Sequence, residues 1–203
     1  MCGVTRLEDA LAAAASGVDA LGFNFWPNSP RYVDLSTAAS IAKRLPSTVS
    51  KVGLFVNAEI KLIERVLTEV DLDFLQFHGA ESREMCASFG TPYIKAILAT
   101  SRDEIIINAS KYENAKALLL DSHHSGQAGG SGIAFDWQII PALDTPLILA
   151  GGLNPGNVAD AIFQVKPCAV DVASGVESSK GIKEASLIRD FMSSVRQADR
   201  SGR

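Results

Sequence analysis

What most restricts the fold of this chain is a repeated alternation. Short apolar runs end in small or polar residues, and each leads into a stretch with helical spacing or a loop. The runs are Val18 to Phe25, Lys51 to Val56, Asp73 to Phe77, Tyr93 to Ile97, Ala115 to Leu120, Pro146 to Ala150 and Ala169 to Val172. They are nearly continuous in apolar character, which is the pattern of strands covered on both faces. Their starts lie ~19–34 residues apart, a spacing suited to right-handed parallel βα units. Between them, residues such as Ile60, Ile63, Val66, Leu67 and Val70 keep to one helical face. An open doubly wound α/β sheet and a closed barrel both accommodate this. Seven runs, with an eighth unit reduced to the stub before Gly3, favour a (β/α)8 TIM barrel whose first strand is truncated. At 203 residues it is a small example, near the ~200-residue lower limit for the fold.

Local chemistry adds punctuation. Thr5-Arg6-Leu7-Glu8 has the form of a capping box, in which two side chains satisfy free backbone donors at a helix start. Gly17 is placed to stop that helix. Asn57 is placed to cap the helix after the second run, and Asn154-Pro155 suits the cap and first turn of another. A long glycine- and serine-rich loop runs from Ser122 to Gly132, followed by a helical turn over Asp136 to Ile140. From Gln197 onward the chain reads as a frayed tail.

The length suits one domain, 1–203, better than two. A net charge of −4 and a pI near 5.4 argue against nucleic-acid binding, which needs a clustered basic surface. No apolar run approaches the ~20 residues that span a bilayer, so no membrane partner is expected. Three cysteines, at 2, 86 and 168, form no disulfide framework. A cytoplasmic protein is the expectation.

In a parallel barrel the residues just after each strand converge on one mouth. Here they are Cys2, Asn24 to Arg31, His78, Asp121, Gly151-Gly152 and Ser174-Gly175. The two glycine-bearing loops follow adjacent strands, and their backbone donors suit a phosphate. Arg31, on a loop stiffened by prolines, has a planar fork that suits a carboxylate, although a solvated arginine is the ordinary alternative. His78 reads equally well as catalytic or as a strand-end residue satisfied by backbone. Asp121 closes Leu118-Leu119-Leu120, where apolar surroundings raise a carboxyl pKa and make an acid usable near neutrality. Cys86 and Cys168 read as small core residues. His123-His124 lacks a third ligand at metal-site spacing, so no metal is expected.

Several blocks in order along nearly the whole chain carry a family resemblance. They are Cys2-Gly3-Val4-Thr5-Arg6, Gly22-Phe23 through Ser29-Pro30-Arg31-Tyr32, Leu75-Gln76-Phe77-His78-Gly79 and Leu119-Leu120-Asp121. Further on come Gly129-Gly130-Ser131-Gly132 with Phe135-Asp136-Trp137, Ala150-Gly151-Gly152-Leu153, and Asp171 through Glu177. On these the sequence resembles the phosphoribosylanthranilate isomerases of tryptophan biosynthesis.

The resemblance implies a (β/α)8 barrel that converts N-(5-phosphoribosyl)anthranilate to 1-(2-carboxyphenylamino)-1-deoxyribulose 5-phosphate by an Amadori rearrangement, without metal or organic cofactor. It implies Asp121 as general acid and Cys2 as general base, with Arg31 on the substrate carboxylate. His78 and Asp171 are supporting residues in this reading, and Gly151, Gly152, Ser174 and Gly175 hold the phosphate. A phosphorylated small molecule is the expected partner, and the chain is a monomer or homodimer. The alternatives are another phosphosugar isomerase, or an impaired phosphate-binding barrel. The second arises because family members have several residues of the first strand before this cysteine, and here only Met1 precedes it. Without that strand the neighbouring edges would be unpaired and Cys2 unsupported. The expectation is therefore either a start further upstream or a destabilised chain with a mobile Cys2.

Overall fold

The seven apolar runs become strands close to the predicted bounds: β1 (Ala20–Asn24), β2 (Ser50–Phe55), β3 (Phe74–Phe77), β4 (Tyr93–Leu98), β5 (Ala117–Asp121), β6 (Leu147–Leu149) and β7 (Ala169–Val170). The computed structural model describes residues 1–121 and 136–201. Within one sheet the strands lie in chain order from β1 to β7. Every neighbouring pair is parallel, as crossover connections through helices require. Those helices are α1 (Leu7–Ala15), α2 (Leu35–Ala42), α3 (Ile60–Glu69), α4 (Arg83–Ala87), α5 (Arg102–Lys111), α6 (Val158–Val165) and α7 (Ala185–Ser201). Before β6, the predicted turn near Asp136 is a 3-10 helix, Trp137–Ile139, capped by the Asp136 carboxylate.

The barrel closes through the stub, against expectation. The Cys2 N–H donates to the Val172 carbonyl at 2.9 Å, just past β7, while Gly22 N–H donates to Met1 O at 2.9 Å and Gly3 N–H to Gly22 O at 2.9 Å. Residues 1–4 therefore occupy the eighth strand position, bonded on both sides, with Met1 and Val4 buried. The predicted open edges and mobile Cys2 are corrected by these bonds. The seam is short all the same: an apolar cavity of about 230 Å³ lies around Met1, Ala20, Val170, Ile188 and Phe191.

Strand period two sorts the side chains into two layers. Val52, Ile94, Ala96, Ala117, Leu119 and Ala150 form a small inner cluster, rich in alanine as a narrow interior demands. Leu75, Phe77, Ile97, Leu118 and Leu120 join the larger cluster under the helices. There Phe25, Phe55 and Phe77, at the ends of successive strands, form a row with ring centroids 5.4 and 6.3 Å apart. The inner parity carries His78 and Asp121 to the mouth, since each shares a face with residues two and four before it.

Several local expectations change. Thr5 caps nothing: α1 has no side-chain cap, and the Thr5 hydroxyl donates to Gly181 O at 2.6 Å. Asn57 does not cap α3; it adopts a left-handed conformation, and its Oδ1 accepts from Ala80 N–H at 2.7 Å. Asn154 lies in a turn before α6, which starts three residues after Pro155. The supposed frayed tail is helical through Ser201, with Ala198 buried. After the 3-10 turn Ser174–Val176 comes a short antiparallel hairpin, β8 (Glu177–Ser179) and β9 (Ile182–Lys183), for which no turn signal was read.

Candidate active site

One half of the mouth is built by β3 to β5. His78 follows β3, its N–H donating to Phe55 O at 2.9 Å. Its Nε2 lies 3.7 Å from Asp121 Oδ2, with the two side chains 17% and 22% exposed. The Gln76 amide nitrogen sits 3.4 Å from His78 Nδ1. An amide nitrogen only donates, so Nδ1 accepts and the neutral ring carries its proton on Nε2, toward Asp121. Burial pushes His78 below its ordinary pKa; the Asp121 charge opposes that shift and the Lys95 charge adds to it. Beside the pair is a cleft of about 460 Å³ lined in part by Asn57, Gly79, Leu98 and Asn108.

Behind His78 is an ion pair that sequence reasoning missed. Lys95 is buried, and its Nζ donates to Phe77 O at 3.1 Å and Gly79 O at 2.7 Å. It also lies 3.3 Å from Glu81 Oε2. The Glu81 carboxylate accepts from Gly79 N–H at 2.9 Å and Asn57 N–H at 2.7 Å, so the segments after β2 and β3 are tied together. A lysine in the middle of the apolar run Tyr93 to Ile97 was the available signal.

The other half gathers at the closure seam. Cys2 packs against Gly22, where a Cβ would meet its sulfur at 3.0 Å. Burial pushes the Cys2 thiol up to about 12, with Asp171 adding to the rise and Lys183, the Met1 ammonium and Arg31 opposing it. Burial in this position therefore disfavours the thiolate in the absence of substrate. Asp171 lies 3.6 Å from the Met1 amine, and its charge acts on both Cys2 and His78. It sits between the two halves.

Arg31 crosses Gly3, at a spot where any side chain on Gly3 would clash with it. One edge of its guanidinium is already taken: Nε and Nη2 donate to the two Glu177 oxygens at 2.7 and 2.8 Å. This bond holds Arg31 above its ordinary pKa and leaves the Nη1 edge for a second anion. Across the mouth, Gly151 and Gly152 have positive φ. Gly175 lies so close to them that a Cβ would fall 1.9 Å from Leu153 O. The four residues predicted to hold phosphate, Gly151, Gly152, Ser174 and Gly175, are therefore brought together as adjoining loops. Among the described residues no cluster has a metal-ligand set; His123 and the Gly129 to Gly132 loop lie outside them.

Comparison with known proteins places the whole chain. Residues 1–194 match the family described as N-(5'phosphoribosyl)anthranilate (PRA) isomerase. The chain belongs to that family. A Pseudomonas aeruginosa N-(5'-phosphoribosyl)anthranilate isomerase is 51% identical over 201 residues, 98% of this chain and 95% of the relative. Its counterpart in Pseudomonas fluorescens is 51% identical over 197 residues, 97% of each. Among solved structures, the phosphoribosyl anthranilate isomerase of Thermotoga maritima superposes with a TM-score of 0.88 at 37% identity, over 97% of each chain. A structure of phosphoribosyl anthranilate isomerase in complex with reduced 1-(o-carboxyphenylamino)-1-deoxyribulose 5-phosphate has a TM-score of 0.83 at 36% identity, covering 97% of this chain and 96% of that one. Membership favours a working PRA isomerase over an impaired phosphate-binding barrel.

Proposed function

We propose that the chain isomerises N-(5-phosphoribosyl)anthranilate to 1-(2-carboxyphenylamino)-1-deoxyribulose 5-phosphate, with Asp121 as acid and Cys2 as base. The observation that carries this is the convergence of His78–Asp121 and Cys2 about Asp171, between two anion sites. The phosphate rests on the loops at Gly151-Gly152 and Ser174-Gly175, and the carboxylate on the open edge of Arg31. Held at both ends, the sugar is oriented for proton transfer in its middle.

In this reading Asp121, as the acid, gives a proton to the ribose ring oxygen as the C1–O bond breaks, and the nitrogen lone pair forms an iminium. His78, neutral with its proton on Nε2, lies 3.7 Å from the Asp121 carboxylate. The Cys2 thiolate then removes the C2 proton, and the C–H electrons neutralise the iminium to an enolamine, which tautomerises to the aminoketose. A thiol near 12 is not ionised in advance. Its proton is released to solvent as substrate binds and ring opening begins, because the iminium charge developing beside C2 favours the thiolate.

The test is turnover of the fluorescent substrate. Cys2→Ala and Asp121→Asn should each lower kcat by roughly 10²–10⁴, the usual contribution of a general acid or base; near-full rate in either variant sinks that assignment. Among the described residues no helix is long and apolar enough to cross a membrane, in keeping with a cytoplasmic location. A monomer or homodimer fits a family in which a solved structure shows engineered monomers of the dimeric Thermotoga maritima enzyme.

A further inference from the structure

Lys183 is a buried ion to which the acid–base scheme assigns no task. Its side chain is 0% exposed. The ammonium donates to Ala173 O at 3.0 Å and to Glu177 Oε1 at 2.9 Å. Its backbone N–H donates to the Asp9 carboxylate at 3.0 Å, tying β9 to α1. Ala173 follows Val172, whose carbonyl accepts the Cys2 N–H. Glu177 grips Arg31, which crosses Gly3. The ammonium therefore sits one residue away from the bond that closes the barrel at Cys2. A lone buried ammonium is unfavourable unless its charge is used or paired. Here Lys183 and Arg31 share a single carboxylate, leaving an excess of positive charge at the seam.

We propose that Lys183 is a positioning residue for Cys2: its ammonium pins the closure seam and supports negative charge on the Cys2 sulfur during proton abstraction. The inference rests on the assignment of Cys2 as base. Four charged groups act electrostatically on Cys2: Asp171 from the segment after β7, Arg31 from the loop after β1, the Met1 ammonium from the stub, and Lys183 from the hairpin. Asp171 opposes a thiolate and the three cations favour it. Lys183 itself faces Glu177, Arg31 and Cys2. Of the cations on separate elements, Arg31 is engaged with substrate, so Lys183 is the one whose removal isolates the electrostatic effect.

The experiment is alkylation of the full chain by iodoacetamide near pH ~8.5, followed by the mass of the N-terminal peptide so that Cys86 and Cys168 do not contribute. In this range the rate follows the thiolate fraction. Lys183→Met should react about tenfold more slowly, the effect of one pKa unit. Its kcat should fall by a similar factor with KM changed by less than about twofold, because Arg31 keeps both of its bonds to Glu177. Lys183→Arg should restore most of both. Glu177→Gln, which removes the anion shared by the two cations, should shift alkylation the opposite way, to a faster rate, and serves if Lys183→Met does not fold. An unchanged alkylation rate in Lys183→Met, or a slower one in Glu177→Gln, overturns the inference and leaves the base assignment standing. An active Cys2→Ala overturns the base assignment itself, whatever the alkylation rates.

Discussion

Two buried lysine–glutamate pairs back the mouth, one behind each chemical half, and they are completed differently. Behind His78, Lys95 faces Glu81, and the remaining capacity of that carboxylate is filled by backbone N–H groups of Asn57 and Gly79. The charges balance one to one. Behind Cys2, Lys183 faces Glu177, and the remaining capacity of that carboxylate is filled by a second cation, Arg31. The charges stand two to one. Burial pushes both lysines below their ordinary pKa, and the neighbouring glutamate opposes it in each case. Burial alone would raise Glu177, but its bonds to Arg31 and Lys183 hold it below the usual range. The same residue pair thus serves as a neutral clamp on one side and as a source of positive field on the other. What decides is the third partner of the carboxylate.

The sharpest way to break this contrast is to remove each ammonium. Lys95→Met strips Glu81 of the side-chain cation that pairs it and leaves a buried carboxylate, which should lower the free energy of unfolding by about 3–5 kcal/mol. Lys183→Met leaves Glu177 in its two bonds to Arg31, so its loss should be smaller, about 1–3 kcal/mol. Urea denaturation of both variants reads the order directly; a reversed order means the base-side pair is the structural clamp. Arg31→Lys comes next. It forfeits the two-pronged bond to Glu177 together with the edge offered to substrate, and KM should rise roughly ten- to hundredfold, as expected for losing one charge-assisted bond. A KM within twofold of the parent would remove Arg31 from substrate binding.

The contrast also shows what was legible before the structure. The strands, their parallel order and the strand-end positions of Cys2, His78 and Asp121 follow from apolar runs and their spacing, because parallel topology turns sequence position into place. The capping assignments failed for one shared reason. Thr5, Asn57 and Asn154 each carry an oxygen that can cap a helix or bond elsewhere; partners far away in sequence decided for Thr5 (Gly181) and Asn57 (Ala80), whereas Asn154 closes a local turn with Gly156. Glu177 and Lys183 were invisible as site residues because their meaning depends on Arg31, 146 residues from Glu177. The stub misled differently. Counting residues before Cys2 suggested an open edge, but the backbone needs only Met1 to Val4 to bond both neighbours near the mouth.

Smaller effects test the seam itself. Thr5→Val keeps the shape of the side chain and deletes the hydroxyl that bonds Gly181 O on the hairpin. It should lower stability by about 1 kcal/mol, the net value of one such bond, and should change the Cys2 alkylation rate less than Lys183→Met does. If it slows alkylation as much as removal of the ammonium, the hairpin acts on Cys2 through geometry and not through charge.

The gentlest probe is pH, because the two halves titrate in different windows. His78 has its pKa lowered by burial, so in the folded state it takes up a proton at lower pH than in the unfolded chain, where the value is about 6.5. Between the two values the unfolded state holds more protons, and stability rises with pH. Acidification from about pH 7 should therefore erode stability, beginning near 6.5, until folded His78 also protonates. Glu177 is likewise depressed, so its contribution is complete above the unfolded value of about 4.3 and is lost as pH falls through its folded value. The His78 half should weaken first and the Cys2 half only at lower pH. Urea midpoints measured from about pH 7 down to about pH 2 should show the first slope in the parent and lose it in His78→Asn, while the second, below about 4.3, remains. A first slope that survives in His78→Asn would place the early titration elsewhere. A second slope that disappears along with it would mean that the two halves unfold as one electrostatic unit.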